Sequence, residues 1–160
     1  MKVILLCLFM HQLSFGHGGK KHSEVKAPKA DPTSSLVKAY ESINQTYNSD
    51  IKKIFAAKCF DCHSGTTKYP WYYKVPGINV LINSHIKEAR SHLDMTEGFP
   101  FKSHEQPAED LKELEKVVKK GSMPPWYYTP FHSGSKLNES DRSKVLNWIN
   151  NSRQLLKDTK

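Results

Sequence analysis

Cys59-Phe60-Asp61-Cys62-His63 combines residue types and a spacing that point to one chemistry. Two thiols three positions apart can each add to a vinyl group of a haem. The histidine that follows can then place an imidazole nitrogen on the iron, so the stretch reads as a covalent c-type haem attachment site. Two other readings compete for the same residues. A thioredoxin-like dithiol expects a βαβ pattern around it, and the sequence has none. A zinc site needs at least one more strong ligand at a plausible spacing.

An iron held by His63 needs a group on its other face. Met123, in Gly121-Ser122-Met123-Pro124-Pro125, is the candidate. A thioether is a soft, neutral donor that raises a haem's potential relative to a second histidine, and the two prolines stiffen the chain that carries it. The plain alternative for any single methionine is core filler. Met95 follows Leu93-Asp94 near a helix end, a less constrained setting. His85 and His92 are rival ligands that would give bis-histidine ligation. His104 and His132 fall in loops and read as surface or hydrogen-bonding residues. Tyr69 and Trp71 in one loop, and Trp126 in another, are read as haem-contacting aromatics. The tetrapeptide Pro-Trp-Tyr-Tyr occurs at 70–73 and again at 125–128, with unlike flanks. Two such loops could close opposite sides of one flat apolar group, each Trp or Tyr supplying area and a polar atom. They could equally pack the core of a small loop-rich domain.

The elements that must position these residues are read from periodicity. Asp50 is expected to cap a helix from Ile51 to about Cys59. Its stripe of Ile51, Ile54 and Phe55 continues to Cys59 and Cys62, so the face that enters the core presents the thiols. A helix over 80–93 carries Ile82, Ile86 and Ala89, with His85 and His92 on the border of that stripe. Pro107 opens a third helix with Leu111, Leu114, Val117 and Val118, which Gly121 ends. Asn138 caps a last helix with Val145, Leu146, Ile149 and Leu156 on its stripe and Trp148 alongside. No strand pattern competes. The fold class is all-α: a cytochrome c-like bundle of about four helices around one covalent haem, with an extra N-terminal helix.

The N-terminus reads as an address. Lys2, the apolar run from Val3 to Met10 and small residues at Ser14 and Gly16 give residues 1–16 the pattern of a secretory signal peptide cleaved near Gly16. An uncleaved membrane anchor is the rival, although the run is too short to span a bilayer. Cleavage would remove Cys7, leaving Cys59 and Cys62 of the three cysteines. Residues 17–35 form a Gly-, Lys-, Pro- and Ser-rich linker. Residues 36–49 make a lead-in helix with Leu36, Val37, Tyr40, Ile43 and Tyr47 on one side, and 50–157 the haem-binding domain.

With 160 residues and 38% hydrophobic content, the chain has material for one domain and one modest core. It carries 24 Lys and Arg against 16 Asp and Glu, a formal charge of +8. The basic residues are dispersed, so a solvated basic surface is the first reading. An acidic redox partner is the second, and nucleic acid, for which there is no motif, a distant third.

Several stretches together resemble a known family, the bacterial haem-binding domain proteins of the monohaem cytochrome c type. They are Cys59 to Ser64, Thr67 to Tyr72, His85 to Arg90, Gly121 to Pro124 with Trp126, and the segment from Leu137 to Ile149. The resemblance covers roughly residues 50 to 155. It implies a cytochrome c-like fold, covalent haem at Cys59 and Cys62, His63 on the iron and Met123 as sixth ligand by position. The expected function is one-electron transfer in the periplasm, without enzymatic activity and without stable membrane insertion after signal cleavage. The alternative is a gas-binding, sensing or peroxidase-like haem protein whose sixth site is open or displaceable.

Overall fold

A computed structural model describes residues 34–159 of the protein. The expected signal segment 1–16 and most of the expected linker lie outside the described residues. The described chain is mainly helical: α1 Ser35–Thr46, α2 Lys52–Lys58, α3 Phe60–His63, α4 Ile78–His92, α5 Pro107–Lys120 and α6 Glu139–Lys157.

Helix α1 starts where Ser34, in extended backbone, accepts a hydrogen bond on its hydroxyl from the Val37 N–H at 3.2 Å. Ala39 and Ile43 carry its buried face. The helix does not stop before α2. A π-turn over Tyr47–Ile51 joins the two, and Asp50 lies inside that turn. The cap expected at Asp50 is therefore absent: an N-cap needs extended backbone, whereas Ile51 ahead of α2 is helical at φ −102, ψ −39. The cause is packing. Tyr47 and Ile51 in the π-turn and Phe55 in α2 are all buried, so the turn and the helix after it both pack against the core. The lead-in helix is thus part of the core. The Trp148 indole N–H of α6 donates to the Ile43 carbonyl at 3.4 Å.

Helices α5 and α6 hold the expected stripes. Leu111, Leu114 and Val118 are buried on α5, and Val145, Ile149 and Leu156 on α6. Gly121 ends α5 in the left-handed region at φ 62. Asn138 caps α6 by accepting from the Asp141 N–H at 2.7 Å. Tyr47, Phe55, Phe99, Phe101 and Trp148 interlock at ring-centroid distances of 5.5 to 6.4 Å, several of them edge to face. Phe99 and Phe101 come from irregular chain between α4 and α5, and so does Met95, which is 2% exposed. Met95 is thus core filler rather than a residue in a loosely constrained setting. The same segment holds one correction to the strand-free expectation: β1 Leu93–Asp94 pairs antiparallel with β2 Lys102–Ser103.

Asp110, in the first turn of α5, is 6% exposed. The Ser103 hydroxyl donates to its Oδ2 at 2.7 Å. Burial outweighs that bond and Glu105 adds repulsion, so the carboxyl is raised from 3.8 to about 6. A raised carboxyl pKa means that the fold favours the protonated form. The associated stability is complete below the unfolded value and is lost as pH rises through the folded one. Asp110→Asn, neutral throughout and still able to accept from Ser103, is expected to be more stable than wild type by about 1 kcal/mol at pH 7. The gain should disappear by about pH 4. Urea melts at the two pH values test this, and an equal gain at both would rule out burial of charge as the cause.

Candidate haem site

Helix α2 ends at Cys59, where φ moves to −126, and one more helical turn, α3, carries the chain to His63. The N–H groups of Cys62 and His63 both donate to the Cys59 carbonyl, at 3.1 and 2.9 Å. That turn fixes the two thiols and the imidazole relative to one another. Cys59 packs against the hydrophobic core, while Cys62 and His63 are half-buried, and both thiols are free. The turn is closed by Ser64, itself buried, whose hydroxyl donates to the Phe60 carbonyl at 2.8 Å.

His63 is held by the segment after α4. Its Nδ1 lies 2.8 Å from the Leu93 carbonyl. A carbonyl can only accept, so Nδ1 carries the proton and Nε2 carries the free lone pair. The Met95 N–H donates to the His63 carbonyl at 2.7 Å, tying the backbone to the same segment. Burial lowers the imidazole pKa against the opposing pull of the Leu93 bond, which favours the neutral ring. A neutral imidazole with one nitrogen anchored and the other bare is the form that binds a metal.

The thiols are shifted the other way. Burial, with a contribution from Cys62, pushes Cys59 up to about 12; burial, then Asp61, raises Cys62. A redox-active dithiol needs a lowered thiol pKa, so the thioredoxin-like reading loses its chemistry as well as its fold. The zinc reading has no ligand set either. Among the described residues no three His, Cys, Asp or Glu side chains gather where they could hold a metal ion.

Asp61, between the two cysteines, organises what faces them. Its Oδ1 accepts from the Lys68 N–H at 3.0 Å and its Oδ2 from the Tyr128 hydroxyl at 3.2 Å. Burial and the Asp61 charge both raise the Tyr128 pKa, so the phenol keeps its proton. His132 lies flat against Tyr128, with centroids 3.6 Å apart and planes within 1°. The His132 Nδ1–H donates to the Tyr128 carbonyl at 3.0 Å, which leaves Nε2 to accept from the Tyr72 hydroxyl at 3.3 Å. The two Pro-Trp-Tyr-Tyr loops are thereby joined to each other and to the cysteine turn. The Lys58 ammonium adds a tether by donating to the Gly134 carbonyl.

Sequence reasoning missed Asp61, Tyr72 and Tyr128 and left His132 as a generic loop residue. The repeated tetrapeptide was the available signal, but it drew attention to the tryptophans. In the structure Trp71 and Trp126 are 83% and 82% exposed, and Tyr69 is 50% exposed and rests on Tyr73. Tyr72, Tyr73 and Tyr128 of the repeats are half-buried instead, whereas Tyr127 is exposed. Tyr73 exchanges hydrogen bonds with Asn83, and Tyr127 lies 5.5 Å from the His85 ring, so both loops also lean on α4. His92, at the end of α4, is exposed.

Met123 follows the glycine that ends α5. It is 50% exposed and lines a cleft of about 380 Å³ with residues 121–126 and Lys136. Five residues further on, Tyr128 brings this segment to the cysteine turn. Between the two loops lies α4, which has no fully buried residue although it carries Ile78, Ile82 and Ile86. Its Val80 and Leu81 are 69% and 52% exposed. Two protonated thiols, an imidazole with a bare Nε2, a thioether and a helix whose apolar face lacks cover fit a flat apolar group that bears a metal.

Comparison with known proteins agrees with that chemistry. A family model described as the haem-binding domain matches residues 23–151. Cytochrome c peroxidase Ccp of Escherichia coli (strain K12) is 29% identical over 131 residues, which cover 80% of this chain and 26% of that protein. The chain thus spans about a quarter of the length of this curated relative. No solved structure matches. With the match running through the cysteine turn, α4, α5 and the Met123 segment, the chain belongs to the haem-binding domain family.

Proposed function

We propose that the protein is an exported monohaem c-type cytochrome that carries single electrons. Cys59 and Cys62 would hold the haem through thioether bonds, and His63 Nε2 and the Met123 sulfur would bind its iron. When bound, the haem supplies the exchange between ferric and ferrous iron. The observation that carries the reading is the His63 imidazole, pinned through Nδ1 to the Leu93 carbonyl and set directly after two free thiols. Leu93 and Met95 orient the ring, Asp61 and Tyr128 hold the opposing loop near it, and α4 supplies apolar cover. The haem-binding match supports the cofactor. The N-terminal pattern supports export to the periplasm, and among the described residues no helix is long and apolar enough to cross a membrane. A formal charge of +8 suits an acidic redox partner, met faster at low ionic strength.

A second reading has specific support. The relative named as a cytochrome c peroxidase and the half exposure of Met123 both suit a displaceable sixth ligand, and hence a peroxidase-like or gas-binding protein. Spectra of the protein produced with a haem-attachment apparatus decide between the two. The carrier is expected to be low-spin in both oxidation states, to show a weak far-red sulfur-to-iron band when oxidised, and to bind carbon monoxide only slowly when reduced, at a rate limited by release of the Met123 sulfur. A high-spin spectrum that shifts on adding carbon monoxide would sink the carrier reading and favour the second.

A further inference from the structure

We propose that Asp61 and Tyr128 form a clasp that controls how readily the sixth position on the iron opens, which makes them positioning residues for Met123. This rests on the reading that His63 and Met123 ligate the iron. Asp61 precedes His63 by two residues and Tyr128 follows Met123 by five, so their hydrogen bond joins the segment that carries His63 to the segment that carries Met123. The tie is stiff on both sides. Asp61 is braced by the Lys68 N–H, and its own carbonyl accepts from the Thr67 hydroxyl at 2.9 Å. Tyr128 is stacked on His132, which is held by Tyr72. Between Met123 and Tyr128 the chain contains Pro124 and Pro125, whose fixed φ leaves little slack. Displacement of Tyr128 is therefore passed to Met123 rather than absorbed by the loop. The bond, 3.2 Å long, is of ordinary strength, and its loss should raise the population with Met123 swung away by up to about tenfold.

The test uses the haem-loaded protein and four variants: Tyr128→Phe, Asp61→Asn, Tyr73→Phe and Met123→Ala. Tyr128→Phe should keep its haem and its far-red band, yet bind carbon monoxide up to about ten times faster in the reduced form. Amide hydrogen exchange over residues 121–128 should accelerate with it. Asp61→Asn, which keeps a weaker acceptor, should move both readouts the same way by less, and it serves if Tyr128→Phe folds poorly. Tyr73→Phe breaks a neighbouring aromatic hydrogen bond outside the clasp and should match wild type. Wild-type carbon monoxide kinetics and exchange in both clasp variants would overturn the clasp. If Met123→Ala abolishes the far-red band while those variants behave as wild type, the clasp alone falls. If the wild-type protein has no such band, the ligand reading falls and the clasp with it.

Discussion

Replacing both Cys59 and Cys62 with serine is expected to yield a folded protein whose haem is removed completely by denaturing organic solvent, where wild type keeps all of it. A serine hydroxyl does not add to a vinyl group under conditions in which a thiol does, so no thioether forms. His63 and Met123 could still bind the iron, but coordination does not survive unfolding and a covalent bond does. Either single variant should retain haem through the remaining thioether. Its reduced spectrum should lie between those of wild type and free haem, because one vinyl stays conjugated with the ring. The fold should tolerate the change, since the aromatic core is built around Tyr47, Phe101 and Trp148 and does not use the thiols. The two positions are not equal, however. Cys59 packs against that core, so Cys59→Ser places a hydroxyl beside apolar groups and should cost about 1 kcal/mol, whereas Cys62→Ser should cost less. Denatured-gel staining for covalent haem, with thermal melts of the apoproteins, reads both effects. Full haem retention by the double variant would end the case for covalent attachment.

How much of the fold and site was legible in the sequence depends on whether the signal was local. Helices α5 and α6 carried theirs in a few residues each: apolar stripes, Pro107 at the start of one, Gly121 at its end, Asn138 ahead of the other. The cysteine turn was legible because its chemistry needs adjacent residues. The π-turn was not, because Asp50 is an ordinary helix cap in isolation. What overrides it is the burial of Tyr47 and Ile51 against residues up to a hundred positions away. Phe99, Phe101 and Met95 escaped for the same reason: the chain between α4 and α5 has no periodicity, and its core role comes entirely from non-local packing. The site shows the pattern again. His63 could be read from its neighbours, but the carbonyl that fixes its tautomer belongs to Leu93, thirty residues on. Asp61 occupies a position that the attachment motif leaves free, and its bond to Tyr128 spans 67 residues. The tetrapeptide repeat drew attention to two loops, but it did not say that Tyr72, Tyr73 and Tyr128 are half-buried there while both tryptophans face solvent.

Met123→Ala is expected to leave covalent haem at the wild-type level and to change what its iron can do. The sulfur is lost, so the far-red band disappears from the oxidised protein. The reduced protein should go from slow carbon monoxide binding, limited by release of the sulfur, to fast binding. The potential should fall, because a thioether favours ferrous iron more than water or histidine does. The cost to folding should be small, about 1 kcal/mol or less, since the side chain is 50% exposed and fills no core space. Met95→Ala should do the reverse. That side chain is 2% exposed, and truncating it should cost about 2–3 kcal/mol of stability while leaving the band in place. The contrast separates a ligand from core filler without relying on activity. It also settles the histidine rival. His85 sits on α4 with its ring 5.5 Å from Tyr127, within the loop that carries Met123. If Met123→Ala remains low-spin, His85→Ala in that background shows whether this imidazole has taken the vacant position. If His85→Ala alone opens the iron to carbon monoxide while Met123→Ala does not, ligation is bis-histidine, and the basis for assigning a high potential is gone.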